Sequence, residues 1–267
     1  MPKLIIVGSA GKMGKLILSE ALKSGLFEII SCIEIKGHSD IGKDAGTIAC
    51  GEALGIKITD TWPASADVAI DFSQADAADS TIENCINKKI PLVMGTTGLS
   101  DWQHEKLIEA SAAIPILYST NMSVGMNVLF TMAGKIAKLL GDEYDIEIVE
   151  QHHRFKKDAP SGSALTLAEN ICKETDRNFS DCVILSRYGK DAQRKKCQIT
   201  IHAVRAGDIT GIHTVIYGTI GETITINHTA HNRDCFAKGA VAAAQWIVGK
   251  KPARYSMADV LNLGIHV

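Results

Sequence analysis

The chain has 267 residues, of which 46% are apolar and 22% are charged, a composition typical of a globular enzyme. A formal net charge of −2 gives no reason to expect nucleic acid or an anionic membrane as a partner, and no run is long and apolar enough to suggest a membrane span. The seven cysteines are odd in number and form no C-x-x-C pair, so we expect free thiols in a reducing compartment, the cytoplasm.

The first part of the chain alternates apolar runs with helical stretches. The predicted strands are Leu4–Val7, Phe27–Ile33, Val68–Phe72, Ile90–Met94 and Ile114–Tyr118, and the predicted helices are Met13–Ser24, Ala75–Asn87 and Asp101–Ala112. Such alternation indicates βαβ units. We therefore expect an α/β fold in which residues 1–123 form a Rossmann-type, parallel-sheet domain. The first apolar run is too short for the core of a signal peptide.

The pattern changes after about Ser123. A predicted helix, Met126–Leu140, is followed by β-rich runs at Tyr144–Glu150, Val183–Arg187, Cys197–Val204, Thr214–Tyr217 and Thr223–His228, and Gly207, Gly211, Gly218 and Gly221 suggest hairpin-like turns between them. We expect residues 124–233 to form an α+β domain with a mixed or antiparallel sheet. The last predicted helix, about Asp234–Val248, has an apolar face rich in alanine, so the segment 234–267 is expected to return to the first domain.

A glycine-rich turn follows the first strand. Gly8, Gly11 and Gly14 have the spacing G-x-x-G-x-x-G, a variant of the dinucleotide fingerprint. An ordinary strand-to-helix turn also uses glycine. Glu34, however, ends the second strand about twenty residues later, where a carboxylate can bind ribose hydroxyls, although alone it could be a solvated residue. Together these features predict binding of NAD(H), NADP(H) or both.

Two further polar segments follow predicted strands, Gly95–Gly98 and Ser119–Met122. Ligands of open α/β sheets bind at the carboxyl ends of the strands, so we expect both segments to hold the nicotinamide half of the dinucleotide. The alternative for each is a polar loop that caps a helix.

The densest polar stretch is Glu150–Ala164. His152 and Lys156 suit proton transfer beside a hydride-donating cofactor, because histidine titrates near neutrality and lysine carries a proton to donate. A metal site would require another imidazole or a carboxylate at helical spacing, so no metal is expected. A basic, solvent-facing turn is the other interpretation.

The same stretch predicts a carboxylate site. Pro160 suits an early helix position, and Ser161, Gly162 and Ser163 would then offer N–H groups at the start of a helix that runs to about Glu174. Cationic side chains lie nearby in sequence, at His153, Arg154, Lys156 and Lys157. A small dicarboxylate is the expected ligand.

Glu150–Ala164 closely resembles the E-x-H-H-x-x-K-x-D-A-P-S-G-[TS]-A signature of the 4-hydroxy-tetrahydrodipicolinate reductase (dihydrodipicolinate reductase) family. Other blocks of that family are matched in order at Val7–Gly14, Asp71–Ser73, Gly95–Gly98, Asn121–Gly125, Gly207–Val215 and His228–Gly239. The resemblance implies a homotetramer with a dinucleotide-binding domain and a substrate-binding and oligomerisation domain. It also implies NAD(P)H-dependent reduction of a cyclic hydroxylated dicarboxylate, with loss of water, in diaminopimelate and lysine biosynthesis.

The resemblance also implies roles for individual residues. His152 is the expected acid/base and Lys156 the expected proton donor. The residues expected to bind substrate carboxylates are His153, Gly162 and Ser163. Those expected to bind cofactor are Gly8, Ser9, Ala10, Gly11, Lys12, Met13, Glu34, Gly95, Thr96, Thr97, Ser119, Thr120, Asn121 and Met122. Ile35 follows Glu34 where the family often has arginine, so we expect NADH to serve at least as well as NADPH.

Two alternative functions fit the sequence less well. Another two-domain NAD(P) dehydrogenase of amino-acid metabolism would not explain H-H-x-x-K followed by D-A-P-S-G-S. A non-catalytic nucleotide-sensing protein on the same fold should have lost His152 or Lys156, and the chain has both.

Overall fold

A computed structural model describes residues 1–263. Its first part contains strands β1 (Lys3–Val7), β2 (Glu28–Ile33), β3 (Ile58–Thr59), β4 (Val68–Asp71), β5 (Leu92–Met94) and β6 (Pro115–Tyr118). The helices in this part are α1 (Lys12–Ser24), α2 (Ala45–Cys50), α3 (Ala78–Lys88) and α4 (Asp101–Ala110).

The remaining elements follow in chain order. They are α5 (Val124–Leu140), β7 (Asp145–His152), α6 (Gly162–Glu174), α7 (Phe179–Cys182), β8 (Val183–Leu185), β9 (Ile199–Arg205), β10 (Gly211–Thr219), β11 (Glu222–Ala230), α8 (Asp234–Ile247), β12 (Ala253–Tyr255) and α9 (Met257–Val260). None of the helices described is long and apolar enough to cross a membrane.

The larger sheet has seven strands in the order β12-β6-β5-β4-β1-β2-β3, and every neighbouring pair is parallel. Successive side chains of a strand point to opposite faces, and Ile5 and Ile6 of β1 are fully buried in different hydrophobic clusters. Burial on both faces explains why the central strands β1, β4 and β5 are mostly apolar in sequence. The predicted Rossmann-type sheet is confirmed.

The end of the described chain returns to this sheet. Strand β12 pairs with β6 at its edge, and α8 packs beside α1. The close approach of α8 requires glycine, because a Cβ at Gly239 would lie 1.7 Å from the carbonyl oxygen of Met122. The last four residues of the predicted segment 234–267 lie outside the described residues.

The smaller sheet has five strands in the order β11-β10-β7-β9-β8. Strand β10 is antiparallel to β7 and β11, whereas β9 is parallel to β7 and β8, so the sheet is mixed, as predicted. Helices α5 and α6 pack on one face against a cluster that includes Ile148, Ile201 and Val215. The hydroxyl of buried Tyr217 donates to the carbonyl of Ala133 in α5 at 2.6 Å, which ties β10 to that helix.

Two local predictions were wrong. Gly211 and Gly218 lie within β10 rather than in turns, and Gly207 joins β9 to a strand that is not its neighbour, because β7 lies between them. Pro160 precedes α6 instead of opening it, since Ser161 is the N-cap and its hydroxyl accepts the N–H of Ala164.

The chain divides into two compact units. One comprises Met1–Val124 together with the chain from Arg233 onward, and the other comprises Gly125–Asn232. The seven-stranded sheet belongs to the first unit and the five-stranded sheet to the second.

Candidate active site

The glycine-rich turn between β1 and α1 has no room for side chains at two positions. Gly8 has a φ of +74°, and a Cβ there would lie 2.8 Å from the carbonyl oxygen of Phe72. A Cβ at Gly14 would lie 2.1 Å from the carbonyl oxygen of Gly8. Only glycine therefore fits at these two positions, where the backbone of the turn passes close to Phe72 and to the first residues of α1.

The N-terminus of α1 is suited to an anion. Its N-cap, Gly11, provides no side-chain cap, and the first turn contains no acidic residue. The first N–H groups of a helix have no acceptor within the helix, and the helix dipole favours negative charge there. A pyrophosphate fits this turn, and the described residues therefore fit a dinucleotide.

Glu34, directly after β2, contacts the same turn. Its Oε1 accepts the N–H of Ala10 at 2.8 Å, and its Oε2 accepts the N–H of Ile35 at 3.2 Å. The Ile35 side chain is exposed and carries no charge. The predicted ribose-binding carboxylate thus lies next to the predicted phosphate-binding turn.

The other predicted cofactor residues follow β5 and β6, at the same edge of the parallel sheet. Asp71, buried at the end of β4, accepts the Thr96 hydroxyl at 3.0 Å and the Ser73 N–H at 2.7 Å. Burial raises the pKa of this carboxyl group. After β6, the Ser119 hydroxyl donates to the carbonyl of Asn121 at 2.8 Å. The four predicted cofactor segments therefore all lie at the carboxyl ends of the parallel strands.

In the second unit, the centre of the site is the buried carboxylate of Glu150. Its Oε2 lies 2.5 Å from Nδ1 of His152, and its Oε1 accepts the backbone N–H of Ser161 at 3.0 Å. Both oxygens also accept hydrogen bonds from Arg205. Burial alone would raise the pKa of Glu150, but the hydrogen bonds from His152 and Arg205 prevail and lower it to about 2. The group is ionised at neutral pH.

His213 packs against this cluster from β10. Its ring and that of His152 form an edge-to-face pair with centroids 5.2 Å apart, and its Nε2 lies 3.2 Å from the Ser161 hydroxyl. Burial, followed by the nearby charge of His152, lowers the pKa of His213 to about 3. His213 is therefore neutral at physiological pH.

Lys156 and His153 lie in the loop after β7. The Lys156 ammonium forms an ion pair with Asp158 at 2.9 Å, and the carbonyl of Asp158 accepts a hydrogen bond from Arg205 at 2.7 Å. The Nδ1 atom of His153 is buried and has no hydrogen-bond partner among the described residues. Lys156 is thus linked to the Glu150 cluster through Asp158 and Arg205, whereas His153 takes no part in the bonds to Glu150.

Gly162 and Ser163 form the first turn of α6, directly after Ser161. The bond from Ser161 to Glu150 therefore fixes the predicted carboxylate-binding helix start beside His152. Within residues 1–263, no group of three or more His, Cys, Asp and Glu side chains is arranged to hold a metal ion.

Three residues near His152 were missed by sequence reasoning: Arg205, Gly211 and His213. Strand register brings two of them to the site, since His152 pairs with Arg205 on β9 and Glu150 pairs with His213 on β10, and a Cβ at Gly211 would lie 3.2 Å from Nε2 of His152. For His213 the sequence did contain an indication. It alternates along β10 with Val215 and Tyr217, whose side chains face the core.

Comparisons with known proteins cover nearly the whole chain. The family model described as "Dihydrodipicolinate reductase, N-terminus" matches residues 2–122, and "Dihydrodipicolinate reductase, C-terminus" matches residues 125–261. The 4-hydroxy-tetrahydrodipicolinate reductase of Geobacter sulfurreducens is 42% identical over 266 residues, covering 98% of this chain and 100% of the relative. That of Alkalilimnicola ehrlichii is 40% identical over 264 residues, covering 98% and 99%.

A solved structure has the same fold. The dipicolinate-bound dihydrodipicolinate reductase from Paenisporosarcina sp. TG-14 superposes with a TM-score of 0.73 at 20% sequence identity, covering 97% of this chain and 98% of that one.

Proposed function

The chain belongs to the dihydrodipicolinate reductase family, and from that premise we propose that it reduces (2S,4S)-4-hydroxy-2,3,4,5-tetrahydrodipicolinate to tetrahydrodipicolinate with NAD(P)H. The reaction releases water and belongs to diaminopimelate and lysine biosynthesis. The observation that carries the proposal is the carboxylate shared by His152 and Ser161, which joins a proton-handling imidazole to a helix start suited to a carboxylate.

The substrate is held by the second unit. The amides in the first turn of α6, at Gly162 and Ser163, bind one carboxylate, and His153 binds substrate beside them. His152 acts as acid/base through Nε2, and the Lys156 ammonium donates the proton that the departing hydroxyl needs to leave as water. Each turnover consumes one hydride, which replaces the hydroxyl group at C4 of the substrate, and one proton, which leaves with that hydroxyl group as water; Lys156 regains its proton from solvent.

The nucleotide is held by the first unit. Gly8–Met13 and Glu34 bind its adenosine and pyrophosphate half, while Gly95–Thr97 and Ser119–Met122 orient the nicotinamide. When bound, the nicotinamide supplies a hydride to C4 of the substrate ring. We propose that NADH serves at least as well as NADPH, because Glu34 favours free ribose hydroxyls and Ile35 offers no charge to a 2′-phosphate.

We also propose that the protein assembles as a homotetramer. Helices α5 and α6 cover only one face of the five-stranded sheet. The opposite face, called here the open face, presents a row formed by Val204, Gln151, Ile212 and Thr229 in register. A second copy of the chain would cover its apolar residues.

Val204→Glu and Ile212→Glu are expected to dissociate the tetramer in sedimentation experiments. Leu139→Glu, an exposed change at the end of α5, serves as the control. An unchanged mass for both open-face variants, or a monomeric wild type, would refute the assembly.

The cytoplasm is the proposed compartment, because all seven cysteines are free thiols.

The experiment that tests the activity follows the oxidation of NADH and NADPH at 340 nm with substrate made in place by a synthase from pyruvate and aspartate semialdehyde. We expect saturable, substrate-dependent oxidation. Absence of oxidation with both nucleotides, while the protein is folded and binds NADH, would refute the proposal.

A further inference from the structure

Arg205, at the end of β9, is the residue opposite His152 in the strand register. Its two terminal nitrogens donate to the two oxygens of Glu150, at 2.8 Å and 2.7 Å. One of them also donates to the carbonyl of Asp158 at 2.7 Å. Planar, two-point pairing of this kind fixes the relative orientation of the guanidinium and the carboxylate as well as pairing their charges.

Glu150 has no freedom to turn. Its Oε1 accepts from Ser161 and Arg205, and its Oε2 accepts from His152 and Arg205. A carboxylate offers about four acceptor positions, so all are filled. A fully buried carboxylate is costly unless it is paired in this way, and removal of one partner leaves the rest uncompensated.

We propose that Arg205 is a positioning residue that acts through Glu150, holding His152 in its Nδ1–H tautomer and beside the first turn of α6. The inference rests on the proposed function, to which it adds the group that orients the acid/base. Arg205 itself need not touch the substrate.

The tautomer follows from the chemistry of the pair. An ionised carboxylate only accepts hydrogen bonds, so Nδ1 of His152 must carry a hydrogen, and Nε2 is the nitrogen left for proton transfer. A Cβ at Gly211 would lie 3.2 Å from this Nε2, so the glycine leaves space on that side. The arrangement parallels the carboxylate that orients the histidine of serine proteases.

Arg205 also adjusts the charge around the imidazole. The charged and titratable groups around it are Glu150 on β7, Arg205 on β9 and His213 on β10, and the charges of His228 on β11 and of Lys156 in the loop after β7 act on His213. Glu150 stabilises the imidazolium, whereas Arg205 offsets part of that negative charge. Removal of Arg205 and removal of the Glu150 charge should therefore move the titration of the site in opposite directions.

The test compares Arg205→Met, Arg205→Lys and Glu150→Gln with a control, Arg177→Met, which removes an ion pair with Asp142 elsewhere in the same unit. We expect kcat to fall roughly 10²-fold or more in Arg205→Met and Glu150→Gln, with KM for NADH unchanged. Arg205→Lys should be intermediate, because lysine keeps the charge without the two-point geometry. Wild-type kcat in Arg205→Met would overturn the proposal.

Two readouts separate positioning from a merely structural role. The limb of the kcat/KM profile near neutrality should move to higher pH in Arg205→Met and to lower pH in Glu150→Gln, whereas shifts in the same direction would overturn the proposal. Nitrogen NMR of ¹⁵N-histidine-labelled wild type should show His152 with its hydrogen on Nδ1. An Nε2–H tautomer would overturn the proposal without any assay.

The NMR result also keeps this inference distinct from the function. If wild type shows the Nδ1–H tautomer but fails to oxidise NADH with the synthase-made substrate, the proposed function fails and the orientation of His152 by Glu150 stands. If Arg205→Met does not fold, Arg205→Lys and the wild-type spectrum still decide the matter.

Discussion

Gly211 lies against the imidazole of His152 so closely that a Cβ would stand 3.2 Å from Nε2. The two residues belong to different strands, β10 and β7, which are neighbours in the sheet. Because Nε2 is the nitrogen proposed for proton transfer, we expect Gly211 to determine how much space surrounds it.

Gly211→Ala is therefore expected to displace the imidazole by a few tenths of an ångström and to lower kcat about tenfold or more, since small misplacements of catalytic groups are costly. Nucleotide affinity, followed by NADH fluorescence, should be unchanged. Gly218→Ala in the same strand is the matched control, because its Cβ would meet only the Thr223 hydroxyl at an ordinary 3.8 Å. Equal kcat in both variants would argue against the assigned geometry.

His152→Gln and Lys156→Ala should both fold and bind NADH, and their turnover should fall by roughly 10²–10⁴-fold, the usual contribution of a positioned proton-transfer group. Ser163→Ala should mainly raise KM, because the carboxylate site keeps its backbone donors. Lys138→Ala, an exposed change on α5, is the control for loss of charge. Near-wild-type kcat in both catalytic variants would reduce the segment to a substrate-binding turn.

Glu34→Ala should raise the ratio of kcat/KM for NADPH to that for NADH by about tenfold, or ~1.4 kcal/mol, because a carboxylate beside the turn repels a 2′-phosphate. Glu28→Ala, at the opposite and exposed end of the same strand, should leave the ratio unchanged. A wild type that prefers NADPH more than tenfold, or a Glu34 variant with an unaltered ratio, would contradict the role given to this carboxylate.

His213 should make the fold sensitive to acid. Its pKa is about 3 in the folded protein and 6.5 in the unfolded chain, so the unfolded state binds the extra proton. The contribution of neutral His213 to the free energy of unfolding is fully present above pH 6.5. It is lost as the pH falls towards 3, at about 1.4 kcal/mol per pH unit. Urea unfolding between pH 7 and 4, at one protein concentration, should show a shallower loss for His213→Gln than for wild type. Parallel curves would show that His213 is not held neutral.

The fold was predictable where strands are buried on both faces, because β1, β4 and β5 are mostly apolar. The short strands β3 and β12 were missed, because β3 has only two residues and β12 reads Ala-Arg-Tyr, so neither forms an apolar run. In the candidate site, the proximity of His152, Lys156 and Ser161 could be predicted because they lie in one contiguous segment. Arg205 was missed because it follows His152 by about fifty residues, and only the β7–β9 register, which leaves no mark in the sequence, brings them together.

The most direct test of the central claim is a turnover with NADH that carries deuterium at both C4 positions of the nicotinamide. The product, made from synthase-generated substrate and analysed by mass spectrometry, should be tetrahydrodipicolinate with one deuterium on the carbon that carried the hydroxyl group in the substrate. The His152→Gln variant should form this product far more slowly. NADH oxidation without deuterium in the product, or a product that retains the hydroxyl group, would contradict reduction at C4 with loss of water.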